Sequence, residues 1–503
     1  MARVIYFGPP GTGKTFTLLE RLAAELKSGI PVQQIAFLTF TRRARAEAVR
    51  RVEEVLGIVA KDLPYFRTIH SMAYRALRLG DGDVMGRGQL REFGESMGLT
   101  FGDSAASEVA AEGLAAGNPG DVLMALDNLA RLRIEPLKKT WADAKPDVDW
   151  PTTDQFARSY RAYKDAHGLM DFTDVLTEFV KAKLTLPVTV CFVDEAQDLS
   201  SLQWLAVLEA TARASRQYVA GDDDQAIYRW AGADVKMFMQ LTGERRILQQ
   251  SHRLPCAVHT LAMRLLKNIK HRVPKEFAPR AGVGEVVHHA SLSGLPTPAG
   301  GWLWLVRNRY LMGPLQQHLE QAGLVYIMHG RSSVLEHDQQ AIYAWERLRA
   351  GKTVTGEQAR QVYKLLRSQI HVKRGFKLLP DIQDEELVTL PLLKQSHGLL
   401  VEAPWYEVLQ GIPLHRQSYY RRLLRHHGSL KLPVAVQVET IHGAKGAEAS
   451  HVALFLDMAR RTYEEQQLSP DDEHRVWYVG ATRARESLHL VQGQGRYAYP
   501  MRP

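Results

Sequence analysis

Short apolar runs alternate with amphipathic segments along most of the chain. The first run is Val4 to Phe7, and apolar positions spaced as on one helix face follow from Phe16 to Lys27. This strand-then-helix order returns several times, which predicts an α/β fold with parallel sheets. Further strands are predicted at 35–40, 66–71, 188–193, 217–220, 302–308, 324–328, 434–441, 451–455 and 488–491.

Two stretches interrupt this alternation. Residues 84 to about 165 and residues 350 to 430 have helical patterning without a strong strand, so we interpret both as helical insertions. The second stretch holds 12 Lys and Arg against 7 Asp and Glu. Its most basic part, 416–425, includes Tyr419 and Tyr420. A solvated helical face and a nucleic-acid contact explain that helix equally well.

The glycine-rich stretch after the first strand is Gly8-Pro9-Pro10-Gly11-Thr12-Gly13-Lys14-Thr15. Its G-x-x-x-x-G-K-[ST] spacing is complete, and it stands between a strand and a helix, which is typical of a loop that binds nucleotide phosphates. Glycines let backbone N–H groups surround the phosphates, and the helix N-terminus adds the positive end of its dipole. We expect Lys14 to reach the β and γ phosphates and Thr15 to bind Mg²⁺. An ordinary glycine turn is the alternative, which the complete spacing disfavours.

A pair of carboxylates follows the strand at 188–193. Asp194 is a candidate Mg²⁺ ligand, and Glu195 is a candidate base that orients and deprotonates a water molecule. Gln225, after the strand at 217–220, is a neutral group placed to contact the γ-phosphate. A solvated acidic turn is the alternative for the carboxylates. Together with the phosphate loop, the pair predicts nucleotide hydrolysis.

Aromatic residues also follow the predicted strands. Phe40 ends one strand, and Tyr228 and Trp230 come shortly after Gln225. Ligands of open α/β sheets bind at the carboxyl ends of the strands. The three rings are therefore candidates for stacking on single-stranded bases. Burial in a core is the alternative, and the local sequence favours the core for Phe40.

Composition sets bounds on these interpretations. With 503 residues, 45% of them hydrophobic, the chain is long enough for more than one domain. Its formal net charge of +9 is compatible with a nucleic-acid partner. Cys191 and Cys256 form no metal-binding spacing and no disulfide framework, which favours a reducing compartment. No apolar run reaches membrane-spanning length, and the phosphate loop begins too early for a signal peptide. We therefore expect a soluble intracellular protein with no membrane partner.

Seven stretches, in order, resemble the motifs of the UvrD/Rep-like DNA helicases of superfamily 1A. They are GPPGTGKT, LTFTRRARAEA, RTIHSMAYRAL, FVDEAQD, VAGDDDQAIYRWAGA, ETIHGAKGAEA and WYVGATRARESL. MDFTDVL and WLVRNRYLMGPLQQHLEQAGLVY also look like family counterparts. The resemblance covers nearly the whole chain, and seven motifs in register make it specific.

The resemblance implies two RecA-like parallel-sheet domains, each with a mainly helical insertion. ATP would lie in the cleft between the domains, and single-stranded DNA would run across the top. The first domain would comprise 1–83 and 166–246, with the insertion 84–165. The second would comprise 247–349 and 431–503, with the insertion 350–430.

The resemblance also assigns site residues. Its catalytic residues are Lys14, Asp194, Glu195, Gln225, Arg253 and Arg483, with both arginines reaching the γ-phosphate from the second domain. ATP would contact Gly8, Pro9, Pro10, Gly11, Thr12, Gly13, Lys14, Thr15, Phe16, Arg42, Gln225, Arg253, Glu448 (near the ribose) and Arg483. Mg²⁺ would be held by Thr15 and Asp194. DNA would contact Phe40, Thr41, Thr68, His70, Tyr228, Trp230, Arg307, Thr440 and His442, which reverses the local interpretation of Phe40.

Three features depart from the family pattern. The chain begins seven residues before Gly8, so we expect the upstream glutamine motif that reads adenine to be absent. His252 stands where the family usually has a tyrosine stacked on the base. Both features predict loose base selectivity. The second insertion has no glycine-centred hairpin of the kind that grips duplex DNA, which favours translocation over processive unwinding.

These observations predict an ATP-dependent 3′→5′ DNA helicase or translocase that acts on single-stranded DNA and at junctions with duplex. It would serve replication, repair or recombination in a bacterial or phage cytoplasm, near the nucleoid, as a monomer or a DNA-induced dimer, with protein partners left open. The alternative is an ATP-switched DNA-binding loader or recruitment factor with little unwinding, which would hydrolyse few ATP per bound strand. A nuclease is disfavoured because no suitable carboxylate cluster stands outside the ATP site.

Overall fold

The computed structural model describes residues 1–102, 118–379, 381–493 and 495–501. The chain divides into two compact units. The first contains Met1–Glu285 and Glu464–Glu486, and the second contains Val286–Tyr463 and the chain from Ser487 onward. The six-segment division expected from the sequence stays a prediction. Its boundaries differ from these units, because 247–285 and 464–486 belong to the first unit, and so do Arg253 and Arg483, which were expected to act from the second domain.

The first unit is built on a parallel sheet. Its strand order is β3-β2-β4-β5-β1-β6, so the first strand lies between the fifth and the sixth. The order requires crossover connections, and the helices between the strands provide them. The strands are β1 (Ala2–Phe7), β2 (Ile35–Thr39), β3 (Phe66–Thr68), β4 (Val190–Val193), β5 (Arg216–Gly221) and β6 (Glu244–Ile247).

Helices cover both faces of this sheet, and their apolar sides form two buried clusters with it. Strand β4 contributes Val190 and Phe192 to one cluster and Cys191 and Val193 to the other, as the alternation of side chains along a strand requires. The helices are α1 (Lys14–Lys27), α2 (Arg42–Leu56), α3 (Ile69–Ala76), α8 (Phe172–Lys181), α9 (Ser201–Ala210) and α10 (Val235–Gln240). The unit also contains α11 (Cys256–Leu266), which lies outside these two clusters.

The interruption expected at 84–165 is helical in its described part. Its helices are α4 (Arg87–Met97), α5 (Pro119–Arg133), α6 (Leu137–Ala144) and α7 (Trp150–His167). Phe93, Leu123, Phe156 and Tyr160 belong to a separate small core in this region. Residues 103–117 of the expected insertion lie outside the described residues.

The second unit contains a seven-stranded sheet of order β10-β9-β13-β8-β14-β15-β7. Strands β9, β13, β8 and β14 are parallel to their neighbours in this group, and β10 pairs antiparallel with β9. The strands are β7 (Glu285–His289), β8 (Trp302–Val306), β9 (Tyr326–Met328), β10 (Arg331–Ser332), β13 (Val436–Thr440), β14 (Ala449–Phe455) and β15 (Ala484–Val491). A two-stranded sheet pairs β11 (Val354–Thr355) with β12 (Leu387–Val388).

The described part of 350–430 packs into the same hydrophobic core as this sheet. That core joins Trp304 and Val436 of the sheet to Trp345, Tyr363 and Leu423 of the helices. The remaining helices among the described residues are α12 (Met312–Ala322), α13 (Glu336–Arg349), α14 (Gly356–Leu365), α15 (Leu390–Ser396), α16 (Trp405–Val408), α17 (Leu414–His427), α18 (Arg460–Leu468) and α19 (Pro470–Ala481), of which α19 belongs to the first unit.

The basic helix expected at 416–425 is helix α17. Arg421 and Arg425 are exposed, so the helix has a solvated face, and its contact with nucleic acid stays a prediction. Tyr419 and Tyr420 are buried in the core, where Tyr420 donates a hydrogen bond of 3.1 Å to Asp338. Arg416 pairs with the same carboxylate at 2.6 Å. The tyrosine rings therefore hold α17 against the core of the unit and do not belong to its exposed face.

Every strand predicted from apolar runs is present, with altered ends, whereas β6, β7 and the two-residue strands β10, β11 and β12 were missed. Strand β6 has the sequence Glu-Arg-Arg-Ile, and all of its residues are exposed, so no hydrophobic pattern marks it. No helix in the described ranges combines the length and the apolar character that a membrane span requires.

Candidate nucleotide site

The motifs of the first unit meet at one edge of its sheet. The glycine-rich loop follows β1, Asp194 follows β4, and Asp222 follows β5. These strands run parallel, and β5 lies between the other two. Their carboxyl ends therefore gather three polar segments around the N-terminus of α1, as in other ligand sites of open α/β sheets.

The loop is shaped for close backbone approach. Gly11 and Gly13 have φ values of 72° and 79°, a region that residues with a Cβ rarely adopt. A Cβ on Gly8 would lie 2.1 Å from Cγ of Lys14, and the Lys14 ammonium donates to the Gly8 carbonyl at 3.1 Å. Pro9, Pro10 and Thr12 are buried, so the loop is fixed in place with Lys14 folded across it.

Thr15 and Asp194 form the expected metal-binding pair. The Thr15 hydroxyl donates to the Asp194 carboxylate at 2.7 Å, so one cation could contact both oxygens. Burial and the neighbouring Glu195 raise the pKa of Asp194 to about 6, against the effect of the Thr15 hydrogen bond. A divalent cation at this position would stabilise the ionised form of the Asp194 carboxylate, so the two oxygens fit Mg²⁺.

Glu195 has an unusual backbone and a fixed side chain. Its φ and ψ are 52° and 41°, in the left-handed region that non-glycine residues enter only when their surroundings hold them there. The side-chain amide of Gln197 donates to the Glu195 carboxylate at 2.5 Å. Such local strain concentrates at functional sites, which agrees with the role predicted for Glu195.

Gln225 and Arg483 lie in the same compact unit as the loop, and both are buried. Arg483 donates to the Gln225 side-chain oxygen at 3.1 Å and to the Val479 carbonyl at 2.9 Å. The Gln225 amide in turn donates to Asp222 at 2.6 Å. These contacts bring together two residues predicted to act on the γ-phosphate.

The segment Ser251-His252-Arg253 is attached directly to the loop. The Ser251 hydroxyl donates to the Pro10 carbonyl, and the His252 backbone N–H donates to the Gly11 carbonyl, both at 2.8 Å. Arg253 reaches the Thr482 carbonyl at 3.4 Å. The loop, Arg253 and the end of α19 are therefore linked by short contacts.

Sequence reasoning missed an ion network beneath Gln225. Asp222, Asp223 and Asp224 are fully buried, and Lys275 lies within salt-bridge distance of all three. Arg272 forms a two-pronged pair with Asp224 at 2.8 and 2.7 Å. The run of three aspartates after a strand was a visible signal, but cations about fifty positions away could not be assigned to it.

The predicted DNA residues of the first unit fall into two groups. Phe40, Tyr228 and Trp230 are half-buried. The ring centroid of Tyr228 lies 5.8 Å from that of Phe40 and 6.2 Å from that of Trp230, so the three rings are neighbours in space. Thr41 and Thr68 are N-caps, whose hydroxyls accept from backbone N–H groups of α2 and α3. Thr68 and His70 are buried, whereas Thr41 is exposed; among the nucleotide contacts, Phe16 and Arg42 are also exposed.

The other predicted site residues lie in the second unit. Arg307 follows β8 and Thr440 ends β13, and these strands pair in parallel with Thr440 opposite Val306. His442 comes two residues later, so the three DNA candidates share one edge of that sheet. Glu448 is exposed just before β14. Its contact with the ribose stays a prediction, as do the DNA contacts.

Comparisons with known proteins agree with this arrangement. The UvrD/REP helicase N-terminal domain matches residues 3–245, and the UvrD-like helicase C-terminal domain matches residues 435–491. The ATP-dependent DNA helicase PcrA of Bacillus subtilis is 26% identical over 297 residues, which cover 53% of this chain and 37% of the relative. The ATP-dependent DNA helicase srs2 of Schizosaccharomyces pombe is 24% identical over 398 residues, covering 69% of this chain and 44% of the relative. The matches therefore span less than half of these relatives' lengths.

Among solved structures, an arterivirus nonstructural protein 10 (helicase) aligns with 97% of this chain and 59% of its own. The TM-score is 0.34 and the identity is 10%, a likeness too low to support an argument.

Proposed function

Since the chain belongs to the UvrD/REP helicase family, we propose that it is an ATP-dependent DNA translocase or helicase that moves 3′→5′ on single-stranded DNA. One observation carries the proposal. Lys14, the Thr15–Asp194 pair, Glu195 and the Gln225–Arg483 pair all belong to the unit that carries the loop. They supply each of the roles that phosphoryl transfer to water requires.

The roles follow from the side chains. The loop N–H groups and Lys14 bind the phosphates of ATP, and Glu195 takes a proton from the attacking water. Arg253 and Arg483 stabilise the charge that spreads over the transferring phosphoryl group. Thr15 and Asp194 would hold Mg²⁺, which neutralises phosphate charge when bound. Glu195 is held by Gln197, so its carboxylate is already oriented before ATP arrives.

Support for a DNA track comes from three neighbouring aromatic rings, two of which lie within five residues after Gln225. Phe40, Tyr228 and Trp230 offer faces on which bases of any identity can stack. Because Gln225 and Tyr228 belong to one short segment, DNA that binds at the rings would change the position of Gln225, which is predicted to contact the γ-phosphate. This link supports ATP hydrolysis that is stimulated by single-stranded DNA.

A combined ATPase and unwinding experiment tests the proposal. ATP turnover would be measured with and without single-stranded DNA, beside strand separation on duplexes with a 3′ or a 5′ tail. We expect DNA-stimulated turnover and activity on the 3′-tailed substrate. Hydrolysis of only a few ATP per bound strand would instead favour an ATP-switched loader. Unwinding of the 5′-tailed duplex in preference to the 3′-tailed one would contradict the proposed 3′→5′ polarity.

A further inference from the structure

A continuous line of hydrogen bonds connects Arg483 with Glu195. Arg483 donates to Gln225 at 3.1 Å, and Gln225 donates to the Asp222 carboxylate at 2.6 Å. The Asp222 backbone N–H donates to the Gln197 side-chain oxygen at 2.9 Å, and the Gln197 amide donates to Glu195 at 2.5 Å. Four bonds therefore join two residues that are far apart in the sequence.

The direction of the line is fixed by its chemistry. A guanidinium group can only donate, so the Gln225 side chain must turn its oxygen toward Arg483 and its amide toward Asp222. A backbone N–H can only donate, so Gln197 must turn its oxygen toward Asp222 and its amide toward Glu195. Every donor then points from the arginine toward the carboxylate. The two halves of the line meet at Asp222, whose carboxylate accepts from Gln225 and whose backbone N–H donates to Gln197, so the position of this one buried residue joins them.

Burial gives the line its strength. Gln197 and Asp222 are fully buried, and Arg483 is 2% exposed. A Cβ on Gly221 would lie 2.7 Å from the Gln197 oxygen, so the glycine keeps space for that side chain. Water cannot easily replace any member, and removal of one donor leaves its partner unsatisfied. Gln197 is the one link that contacts Glu195 and is not among the residues predicted to contact ATP.

We propose that Gln197 is a positioning residue that couples Glu195 to Arg483 through Asp222 and Gln225. It holds the Glu195 carboxylate in place, next to a backbone in the left-handed region, as long as the other hydrogen bonds of the line are formed. Hydrolysis then depends on the arginine end and the base end together. The inference rests on the proposed ATPase function and adds the connection between its two sides.

Gln197→Glu tests this connection selectively. The new carboxylate can still accept from the Asp222 N–H, but it no longer donates to Glu195 when ionised. Gln203→Glu is a matched control, because Gln203 is also buried and its side-chain oxygen also accepts a backbone N–H, that of Ser200, at 2.9 Å. Gln197→Met and Gln203→Met repeat the comparison without adding charge, in case the buried carboxylate prevents folding.

Three measurements on each variant separate positioning from general damage. We expect both Gln197 variants to lower kcat about 10- to 100-fold, a part of what a general base contributes. KM for ATP and the Kd of a fluorescent non-hydrolysable ATP analogue should stay within about threefold of wild type, since the phosphate contacts are intact. The Gln203 variants should keep the wild-type kcat, and melting temperatures should show that all compared variants are folded.

A double variant tests the coupling itself. Gln225→Glu removes the donor to Asp222, and its loss of kcat should not multiply with that of Gln197→Glu if both break one line. Multiplicative losses, or a kcat of the Gln197 variants equal to that of the Gln203 variants, would overturn the inference while leaving the ATPase function in place. A wild-type protein that hydrolyses no ATP would overturn both.

Discussion

Gly11→Ala tests whether the phosphate loop and the segment that carries Arg253 depend on each other. Gly11 has a φ of 72°, and an added Cβ would lie 2.4 Å from Cβ of Arg253 and 3.0 Å from its backbone nitrogen. Neither neighbour is the free end of a side chain, so the segment itself must move. Gly57, at the end of α2, has a φ of 69° with nothing within 4 Å of its Cβ position. Gly57→Ala is therefore a control with the same backbone and no clash.

Both substitutions should lower the free energy of unfolding by about 1–2 kcal/mol, because alanine is disfavoured in the left-handed region. Only Gly11→Ala should also move Arg253, by about 1 Å to restore an ordinary contact, and a displacement of that size at a reacting centre can cost on the order of 10²-fold in rate. Melting temperature and kcat for DNA-stimulated ATP hydrolysis would be measured on both variants. Equal kcat values for the two would refute the proposed dependence of the loop on Arg253.

Other predictions follow from single contacts. Glu195→Gln should bind ATP but turn over on the order of 10²-fold more slowly or worse, because the water loses its base; wild-type turnover would contradict the assignment. Trp230→Ala should weaken single-strand binding by about 1–3 kcal/mol, measured by fluorescence anisotropy, with an unchanged melting temperature; a joint loss of stability and basal ATPase would mark a core residue instead. The pKa of Asp194 is raised to about 6, so protons should compete with Mg²⁺ below that pH. The Mg²⁺ concentration for half-maximal turnover should then rise as pH falls, and a flat dependence would argue against Asp194 as a ligand. Arg131 and Lys164 hold the pKa of buried Asp171 well below its usual range, so its contribution to stability is present above about pH 4 and is lost below it. The free energy of unfolding, measured by urea titration at several pH values below about 4, should therefore fall less steeply with falling pH in Asp171→Asn than in the wild type. Equal slopes would contradict this role of Asp171.

Much of the first unit could be predicted because its chemistry sits at the ends of apolar strands. Lys14, Asp194 and Gln225 each follow such a strand, and parallel strands bring their carboxyl ends to one edge. Strand β6 could not be found in this way, because its side chains are exposed and show no apolar pattern, although its backbone pairs with β1. Local pattern also failed for Tyr419 and Tyr420, where charged neighbours concealed the buried face of α17.

The contacts that orient the site were beyond sequence reasoning for a different reason. Gln197 stands within a motif that was singled out, yet its partner Asp222 is 25 positions away, and Gln225 meets Arg483 across 258 positions. Local spacing predicts which residue types are present, but it does not predict which way an amide turns. That choice depends on whether the neighbour can donate or accept, and only the folded chain supplies the neighbour.

The ion network beneath Gln225 fixes the position of Asp222 in the line of hydrogen bonds. Asp222 accepts from Gln225 and also lies 3.2 Å from the Lys275 ammonium, so a cation from the segment after α11 holds the carboxylate at the centre of the line. Arg475, on α19 and eight residues before Arg483, donates to the Asp223 carbonyl at 2.8 Å. Burial raises the pKa of Asp223, while Lys275 opposes that rise. Burial also acts to raise the pKa of Asp224, but the hydrogen bonds and charges of Arg272 and Lys275 outweigh it and lower that pKa. The position of the Asp222 carboxylate, and with it the Gln225 side chain, thus depends on buried charge pairing, and removal of Lys275 would leave buried carboxylates uncompensated.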